Sequence, residues 1–479
     1  MPITLAYTAA TIREAGYAVK VIDAFAEKPY QSNRDGKFLF LGLPYKEILS
    51  RISQDVEAVF IFAINLTNHK SCAGIVQAVK REYPELPVIV LENTQAVTAY
   101  ALAQVAHEFF QIGADYIITG ESEQRSLRLL KALTTSGNKD LIGQIDGIGT
   151  PSSYVEPNGF IPSDELDKMP YPAWDLFPLE NYWKLRFAHG PQESKRYLPL
   201  LTSRGCPYPC RFCVVPSTNK QKWRPYSAKR VVDEIEYYTK RFNVKEFHIE
   251  DLNPTISDKR VREICEEILN RKLDITWKLA AGTKVESIRS EETIDLMAKA
   301  GCSYISVSPE TGSPQVLRNM RKPFDLEHAV RLVNRMNQVH IRSQACFVLG
   351  FPGEDDDDRQ MTREMVHDLT RKGVDEIALF IITPVPGSSI YEDFQGYQNL
   401  SELNFSPTWR KDYKKLSQFR LRLYASFLFW KIRYHPAKII RQAINFLLRR
   451  FETKMEMVPY RALILHWLGY RAGRYVDEF

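Results

Sequence analysis

Along the first 135 residues, helical spacing of apolar positions alternates with short apolar runs. Helical spacing covers Ile3 to Ala18. The runs VKVIDAF at 19–25, VEAVFIFAI at 56–64, LPVIVLE at 86–92 and ADYIITG at 114–120 read as strands. Helices are predicted from about Ser71 to Tyr83, around Ala96–Gln111 and from about Glu123 to Leu133. Strands separated by helices of this kind build a parallel, doubly wound sheet, so residues 1–135 are predicted as a small α/β domain. Such a domain normally begins with a strand. This one opens on a helix, and its first strand is read as missing.

Residues 136–195 break the beat. The stretch SDELDKMPYPAWDLFPLENYW at 163–183 is too apolar for a free linker and too rich in proline for one helix, which predicts an ordered strap. From Tyr197 the alternation resumes, with strands YLPLLTS, VKEFHIED at 244–251, DITWKLA at 274–280, SYISVSPE at 303–310, RSQACFVLG at 342–350 and EIALFIITP at 376–384. Six βα-type units over 196–400 suit a curved, partial (βα)6 barrel, and no seventh or eighth unit follows. Residues 401–479 change character and are predicted as a basic, amphipathic helical region.

With 479 residues, 44% of them hydrophobic and 25% charged, the chain can bury a sizeable core, which excludes a small disulfide-stapled module. No run of 18 apolar residues and no export-signal layout appears, so the expected compartment is the cytoplasm. The net charge of +6 conceals an asymmetry: residues 410–479 hold 16 basic and 5 acidic side chains, a local balance of +11. The acidic remainder argues against a nucleic-acid-coating surface.

Three of the seven cysteines lie together, in Arg204-Gly-Cys206-Pro-Tyr-Pro-Cys210-Arg-Phe-Cys213, on a loop after the first barrel strand. Three thiolates within eight residues can wrap one soft metal centre. Structural zinc takes four closed ligands, whereas Cys72, Cys265, Cys302 and Cys346 each stand alone in a predicted helix or strand. The local site is therefore three-coordinate, and it leaves one iron of a 4Fe-4S cube open for chemistry.

The C-x3-C-x2-C spacing, with aromatic Phe212 before the last cysteine, resembles the signature of the radical S-adenosylmethionine superfamily. The resemblance implies that Cys206, Cys210 and Cys213 hold a 4Fe-4S cluster and that S-adenosylmethionine is cleaved to a 5′-deoxyadenosyl radical. It further implies cofactor contacts at Glu250 and Asp251 for the amino group, at Lys284 after the third strand, and at Ser308 and Glu310 for the ribose. Leu349 and Gly350 would border the adenine, where a missing side chain lets a flat base approach. The run Asp355–Asp358 is read as a helix-capping cluster.

The order of α/β domain, strap, SRGCPYPCRFC and RPYSAKRVVDEIEYY is similar to the subfamily with an N-terminal cobalamin-binding domain. That subfamily includes carbon methylases and the anaerobic oxidative cyclase of Mg-protoporphyrin monomethyl ester. LAYTAATIREAGYAVKVIDA at 5–24 and ADYIITGESEQRSLRLLKAL at 114–133 follow its pattern, but Glu92-Asn93 replaces the usual glycine pair and no D-x-H-x-x-G occurs. His69 is read as a solvated loop residue. Cobalamin is left open between an upstream start that completes the domain and a domain turned structural platform.

The expected activity is methylation, cyclisation or rearrangement at unactivated carbon of an apolar small molecule such as a lipid, isoprenoid or tetrapyrrole, with flavodoxin or ferredoxin as reductant. Rival readings are a methylthiotransferase acting on tRNA or protein, whose relatives carry extra N-terminal cysteines, and a non-catalytic iron-sulfur electron carrier. Residues 410–479 carry two readings: peripheral contact with the inner face of a membrane, or a cap over the barrel mouth with its basic face solvated.

Overall fold

The computed structural model describes residues 1–36, 38–135 and 139–474. A hairpin of β1 (Ser32–Asp35) and β2 (Phe38–Leu41) precedes a four-stranded sheet of β3 (Val59–Ala63), β4 (Val88–Glu92), β5 (Tyr116–Ile118) and β6 (Ile148–Gly149). β3, β4 and β5 are parallel and β6 closes one side antiparallel. β4 is buried at every position, as a central parallel strand covered on both faces must be.

The expected strand at 19–25 is not formed. Asp23 instead caps a short helix, Ala24–Glu27, by accepting from the Ala26 N–H at 2.9 Å, and it also accepts from the Tyr182 hydroxyl at 2.5 Å. The first bond turns the segment into a helix, and the second holds it against the strap. The β1–β2 hairpin carried no period-2 signal strong enough to be anticipated.

The opening helix, Ile3–Glu14, is buried on almost every side, which explains why it has no polar face. Its Thr8 hydroxyl meets Ser122 at 2.8 Å, and its Ala6 carbonyl accepts from Ala173 N–H in the strap. It is a wedge between the first sheet, the strap and the barrel. The strap itself is packed into the main core through Leu166, Trp174 and Trp183, and the Trp183 indole donates to the Tyr197 carbonyl at 2.7 Å.

The second sheet has six parallel strands. β7 (Tyr197–Leu200) is followed by a small antiparallel clip, β8 (Ser203–Arg204) with β9 (Arg224–Pro225), and then by β10 (Glu246–Ile249), β11 (Thr276–Thr283), β12 (Cys302–Glu310), β13 (Arg342–Leu349) and β14 (Glu376–Ile381). The order β14-β13-β12-β11-β10-β7 leaves β14 and β7 unpaired with each other, so the barrel is partial. The alternation of faces is sharp. Phe247, Trp277, Leu279, Ile305, Phe347 and Leu379 pack under the helices, whereas the opposite face carries Glu246, His248, Lys278, Tyr304, Gln344 and Glu376. Those polar groups answer one another: Lys278 lies 3.2 Å from Glu246, and Tyr304 donates to Glu376 at 2.5 Å. Asp355 and Asp358 form a reciprocal capping box on the helix Asp356–Arg371, as expected.

The C-terminal region forms three helices, Tyr413–Tyr434, Pro436–Leu448 and Lys454–Arg471. Leu416, Leu423 and Phe427 of the first are buried against the barrel. The later part of the region closes the end where the strands begin: Met455 N–H donates to Glu376 at 2.9 Å and Arg342 pairs with Glu452 at 2.8 Å. Its start reaches the mouth side, where Leu416 and Arg410 lie beside Gly350, and the rest of the cap expected there lies at the opposite end. Among the described residues, no helix is long and apolar enough to cross a membrane. The parallel Gly473–Arg474 strand joins β1.

Candidate active site at the cysteine loop

The clip β8–β9 pins both ends of the cysteine loop. Gly205 sits between them at φ +76°, and a Cβ there would lie 1.9 Å from the Lys222 carbonyl oxygen, so only glycine fits this turn. Asp251, on the helix-facing side of the β10 end, accepts from Thr202 N–H at 2.6 Å and from the Thr202 and Ser203 hydroxyls at 2.7 and 2.5 Å. Its carboxylate is consumed in bracketing the strand that leads into the loop. The expectation that Asp251 meets a cofactor amine is therefore corrected: it is a positioning residue. Glu250 points to the other face, where it accepts from His189 of the strap at 2.5 Å, and His189 holds it below the usual carboxylate range against the effect of burial.

Cys213 is buried and Cys206 and Cys210 are half-buried. Burial pushes all three thiols up, Cys210 to about 11, and the neighbouring thiols push Cys210 and Cys213 further. Two cations oppose this. Lys322, itself buried, pulls on all three thiols, and Lys284 on Cys206 and Cys210. Lys284 lies 4.7 Å over the Tyr208 ring and pairs with Glu286; Lys322 pairs with Glu310 and lies 6.0 Å from the ring of Phe212. The set of three thiols in an electropositive setting fits a soft metal cluster, whose charge would complete their ionisation. Among the described residues, no three His, Cys, Asp or Glu side chains are gathered tightly enough for a single ion. Cys72, Cys265 and Cys302 are buried elsewhere, and Cys346 faces Ser306 on the inner wall.

The rim above β11 to β13 is less uniform than the sequence implied. Ser308 lies against Gly282, whose missing side chain makes the room for it. Glu310 is held at φ +65°, an uncommon backbone for a non-glycine residue, in a turn tied by the Thr311–Thr362 contact at 3.0 Å and the Ser313–Asp358 bond at 2.5 Å. Leu349, by contrast, faces the helices in the core. The space beside Gly350 is taken by Leu416 and Arg410, and its N–H donates to Glu354 at 2.6 Å. The expectation that a base uses that room is corrected, because the C-terminal helix fills it. Lys322 and His189 were missed by the sequence reading; each is a lone basic residue in a loop, with no motif to mark it.

The strand-end edge of the first sheet is built differently. Glu92 accepts from Leu102 N–H at 2.8 Å and from Gly120 N–H at 2.6 Å, and burial pushes it up to about 7. Asn93 donates to the Ile64 carbonyl at 2.7 Å. The Ala101 N–H donates to Pro386 at 2.9 Å, and Asn219 donates to Thr94 at 2.8 Å, which seals this edge against the barrel. His69 is not a solvated loop residue; it opens the helix His69–Glu82, buried, with its ring nitrogens 3.0 Å from Glu108 and 3.4 Å from the Tyr100 hydroxyl. The residues at this edge, as they stand, do not fit a corrin with its nucleotide tail.

The two domains are joined beside the cysteines. Arg204, 2% exposed, lies 2.8 Å from Glu123 and 3.4 Å from Glu121, and Arg224 lies 2.9 Å from Glu121. Both carboxylates belong to the turn and helix after β5.

The three-thiol loop and four of the six barrel strands, β10 to β13, lie within a segment that matches a known family. Residues 200–366 match the model described as the Radical SAM superfamily, and the chain carries that domain. Among its relatives is a cytidylyl-2-hydroxyethylphosphonate methyltransferase from Streptomyces wedmorensis, 25% identical over 86% of this chain and 81% of that one. Another is the anaerobic magnesium-protoporphyrin IX monomethyl ester cyclase of Rubrivivax gelatinosus, 28% identical over 67% of this chain and 57% of that one. The fold is similar to that of the methyltransferase TsrM from Kitasatospora setae, solved with cobalamin and a [4Fe-4S] cluster bound (TM-score 0.60, 16% identity, covering 82% of this chain and 74% of that chain). The chain is thus a radical SAM enzyme related to methyltransferases and an oxidative cyclase.

Proposed function

We propose that this chain performs methylation, cyclisation or rearrangement at an unactivated carbon of an apolar small molecule, a lipid, isoprenoid or tetrapyrrole, and that Cys206, Cys210 and Cys213 ligate its cluster. The observation that supports this is the thiol loop held at the strand ends under the charge of Lys284 and Lys322, beside the buried polar groups Ser308 and Glu310. A bound 4Fe-4S cluster supplies the electron that cleaves S-adenosylmethionine to methionine and a 5′-deoxyadenosyl radical.

The residues of the chain do the rest. Asp251 and Gly205 fix the path of the loop, so the thiols meet the cluster without reorganisation. Lys284 and Lys322 place positive charge beside the thiols and the methionine carboxylate. Glu310 and Ser308 offer acceptors for the ribose hydroxyls, and Glu250, shared with His189, offers a carboxylate at the end of β10 for the amine. Glu92 and Asn93 fill the edge of the first sheet that cobalamin would need. Flavodoxin or ferredoxin is the proposed reductant, and contact of residues 410–479 with the inner face of a membrane is the proposed route to an apolar substrate.

The test is anaerobic reconstitution followed by reduction with dithionite or flavodoxin. The reading expects 5′-deoxyadenosine and methionine from S-adenosylmethionine. A protein that holds iron but yields neither would be an electron carrier, and the reading would fall.

A further inference from the structure

The helix Pro436–Leu448 is inside out. The side chains it buries are polar: Gln442 accepts from Lys431 at 2.9 Å and donates to Thr453 at 3.1 Å, and Asn445 donates to Glu456 at 3.4 Å. The stripe it turns outward is apolar, Ile440, Ile444, Leu447 and Leu448, at spacings of four, three and one, and Leu447 is 79% exposed. A helix in a water-soluble surface shows the reverse arrangement. Its neighbours repeat the theme. On Tyr413–Tyr434, Leu421 and Phe429 lie opposite the buried Leu423 and Phe427, both more than 60% exposed. On Lys454–Arg471, Leu463 is 61% and Tyr470 88% exposed. The three helices pack on one another in sequence.

Exposed arginines, including Arg433, Arg441, Arg449 and Arg450, flank this stripe within the segment of +11 local balance. The pairing of apolar side chains with positive charge decides what can cover it. A second copy would bring two strongly basic faces together, which Coulomb repulsion opposes. An anionic lipid surface accepts both components: aliphatic side chains enter the acyl boundary and arginines meet headgroup phosphates. No helix here is built to cross.

We propose that the outer face of residues 413–471 docks flat on an anionic lipid surface, with helix Pro436–Leu448 in the plane of the headgroups and its polar side bound to the rest of the protein. This deepens the apolar-substrate reading and rests on it only for the purpose of the contact, not for the contact itself.

The experiment is sedimentation of the full chain with vesicles of phosphatidylcholine, alone or mixed with phosphatidylglycerol. The wild type is expected to partition at least about tenfold better onto the anionic vesicles, and added salt should reduce this. The variant Ile440→Ser/Leu447→Ser/Leu448→Ser should lose that partitioning and keep its circular dichroism spectrum, because it alters only exposed positions; its cleavage of S-adenosylmethionine in detergent should be unchanged. Wild type that stays in the supernatant, or a serine variant that sediments equally, overturns the proposal. A concentration-dependent dimer abolished by the same substitutions, without vesicle binding, also overturns it and assigns the face to a second copy. Absence of 5′-deoxyadenosine would strike the catalytic reading and leave the vesicle result standing.

Discussion

The six-stranded parallel sheet and the largely parallel first sheet turn their strand-end edges toward the same region of the molecule, and they have been put to opposite uses. At the barrel edge the strand ends carry a chemical set: three thiols lie under the charge of two lysines, and Ser308 packs on Gly282 beside them. At the edge of the first sheet, Glu92 accepts from the Leu102 and Gly120 N–H groups that a bound anion would otherwise meet, and Asn93 donates to the Ile64 carbonyl. The fold places a ligand edge in both. Whether an edge is a site is decided by a few side chains: here an internal carboxylate occupies one, while at the other a glycine turn and the cysteine spacing bring three thiols together.

The largest expected effect sharpens the barrel half of this contrast. Changing Cys206, Cys210 and Cys213 together to Ala should remove the roughly four irons per chain that reconstitution introduces. Iron analysis of the triple variant checks it, and substitutions of Cys72, Cys265 or Cys302 should leave the content intact.

Next comes the Glu310–Lys322 pair. Neutralising Glu310 alone leaves a buried ammonium without its partner, so Glu310→Gln should cost about 3–5 kcal/mol of stability. The double variant Glu310→Gln/Lys322→Met should recover most of that loss. A double-mutant cycle by denaturant unfolding measures the coupling, and additive losses would mean that the two groups act independently.

Glu92 gives a smaller effect with a definite sign. Folded Glu92 titrates at about 7, whereas an unfolded glutamate titrates near 4.3. Between those values the folded state binds the extra proton, so this residue lowers stability as pH rises from about 4.3 to 7, by at most about 1.4 kcal/mol per pH unit. Glu92→Gln should flatten the stability profile of the protein in that window by close to one proton, whatever its absolute stability. Identical slopes would show that the carboxylate is already ionised below the window.

The smallest effect, and the one that would break the contrast outright, concerns corrin. Wild type incubated with hydroxocobalamin and desalted should show no corrin bands, whereas Glu92→Gly/Asn93→Gly, by emptying the edge, should take up a weakly held fraction. Stoichiometric corrin on the wild type would show that the Glu92 bridge opens on demand, and the two edges would then be alike.

What could be read from the sequence divides along physical lines. The thiol loop was legible because its chemistry is local: three cysteines in eight residues need no tertiary information. The six βα units were legible for the same reason, as each strand carries its own apolar run. Glu250 and Asp251 were misjudged as a pair, although strand alternation sends neighbours to opposite faces; counting from Glu246 and His248 would have separated them. Lys322 and His189 were invisible because what gives each its place is a partner far along the chain, Glu310 and Glu250, and a loop lysine or histidine has no pattern. The strand expected at 19–25 failed because a β-run needs a neighbour, and Asp23 offered a helix cap and a tyrosine partner first.

The buried cluster of Arg204, Arg224, Glu121 and Glu123 has a consequence for how the protein comes apart. Separating the first sheet from the barrel would strand two guanidiniums and two carboxylates, each nearly inaccessible to water, at a newly made surface. The opening helix adds Tyr7, which contacts Arg204 and Glu234 across the same junction. The two sheets therefore melt as one cooperative unit, and calorimetry should record a single endotherm where the number of sheets alone suggests two. Excising the first sheet would not yield an independent barrel, since the arginine that precedes the first cysteine would lose the charges that hold it.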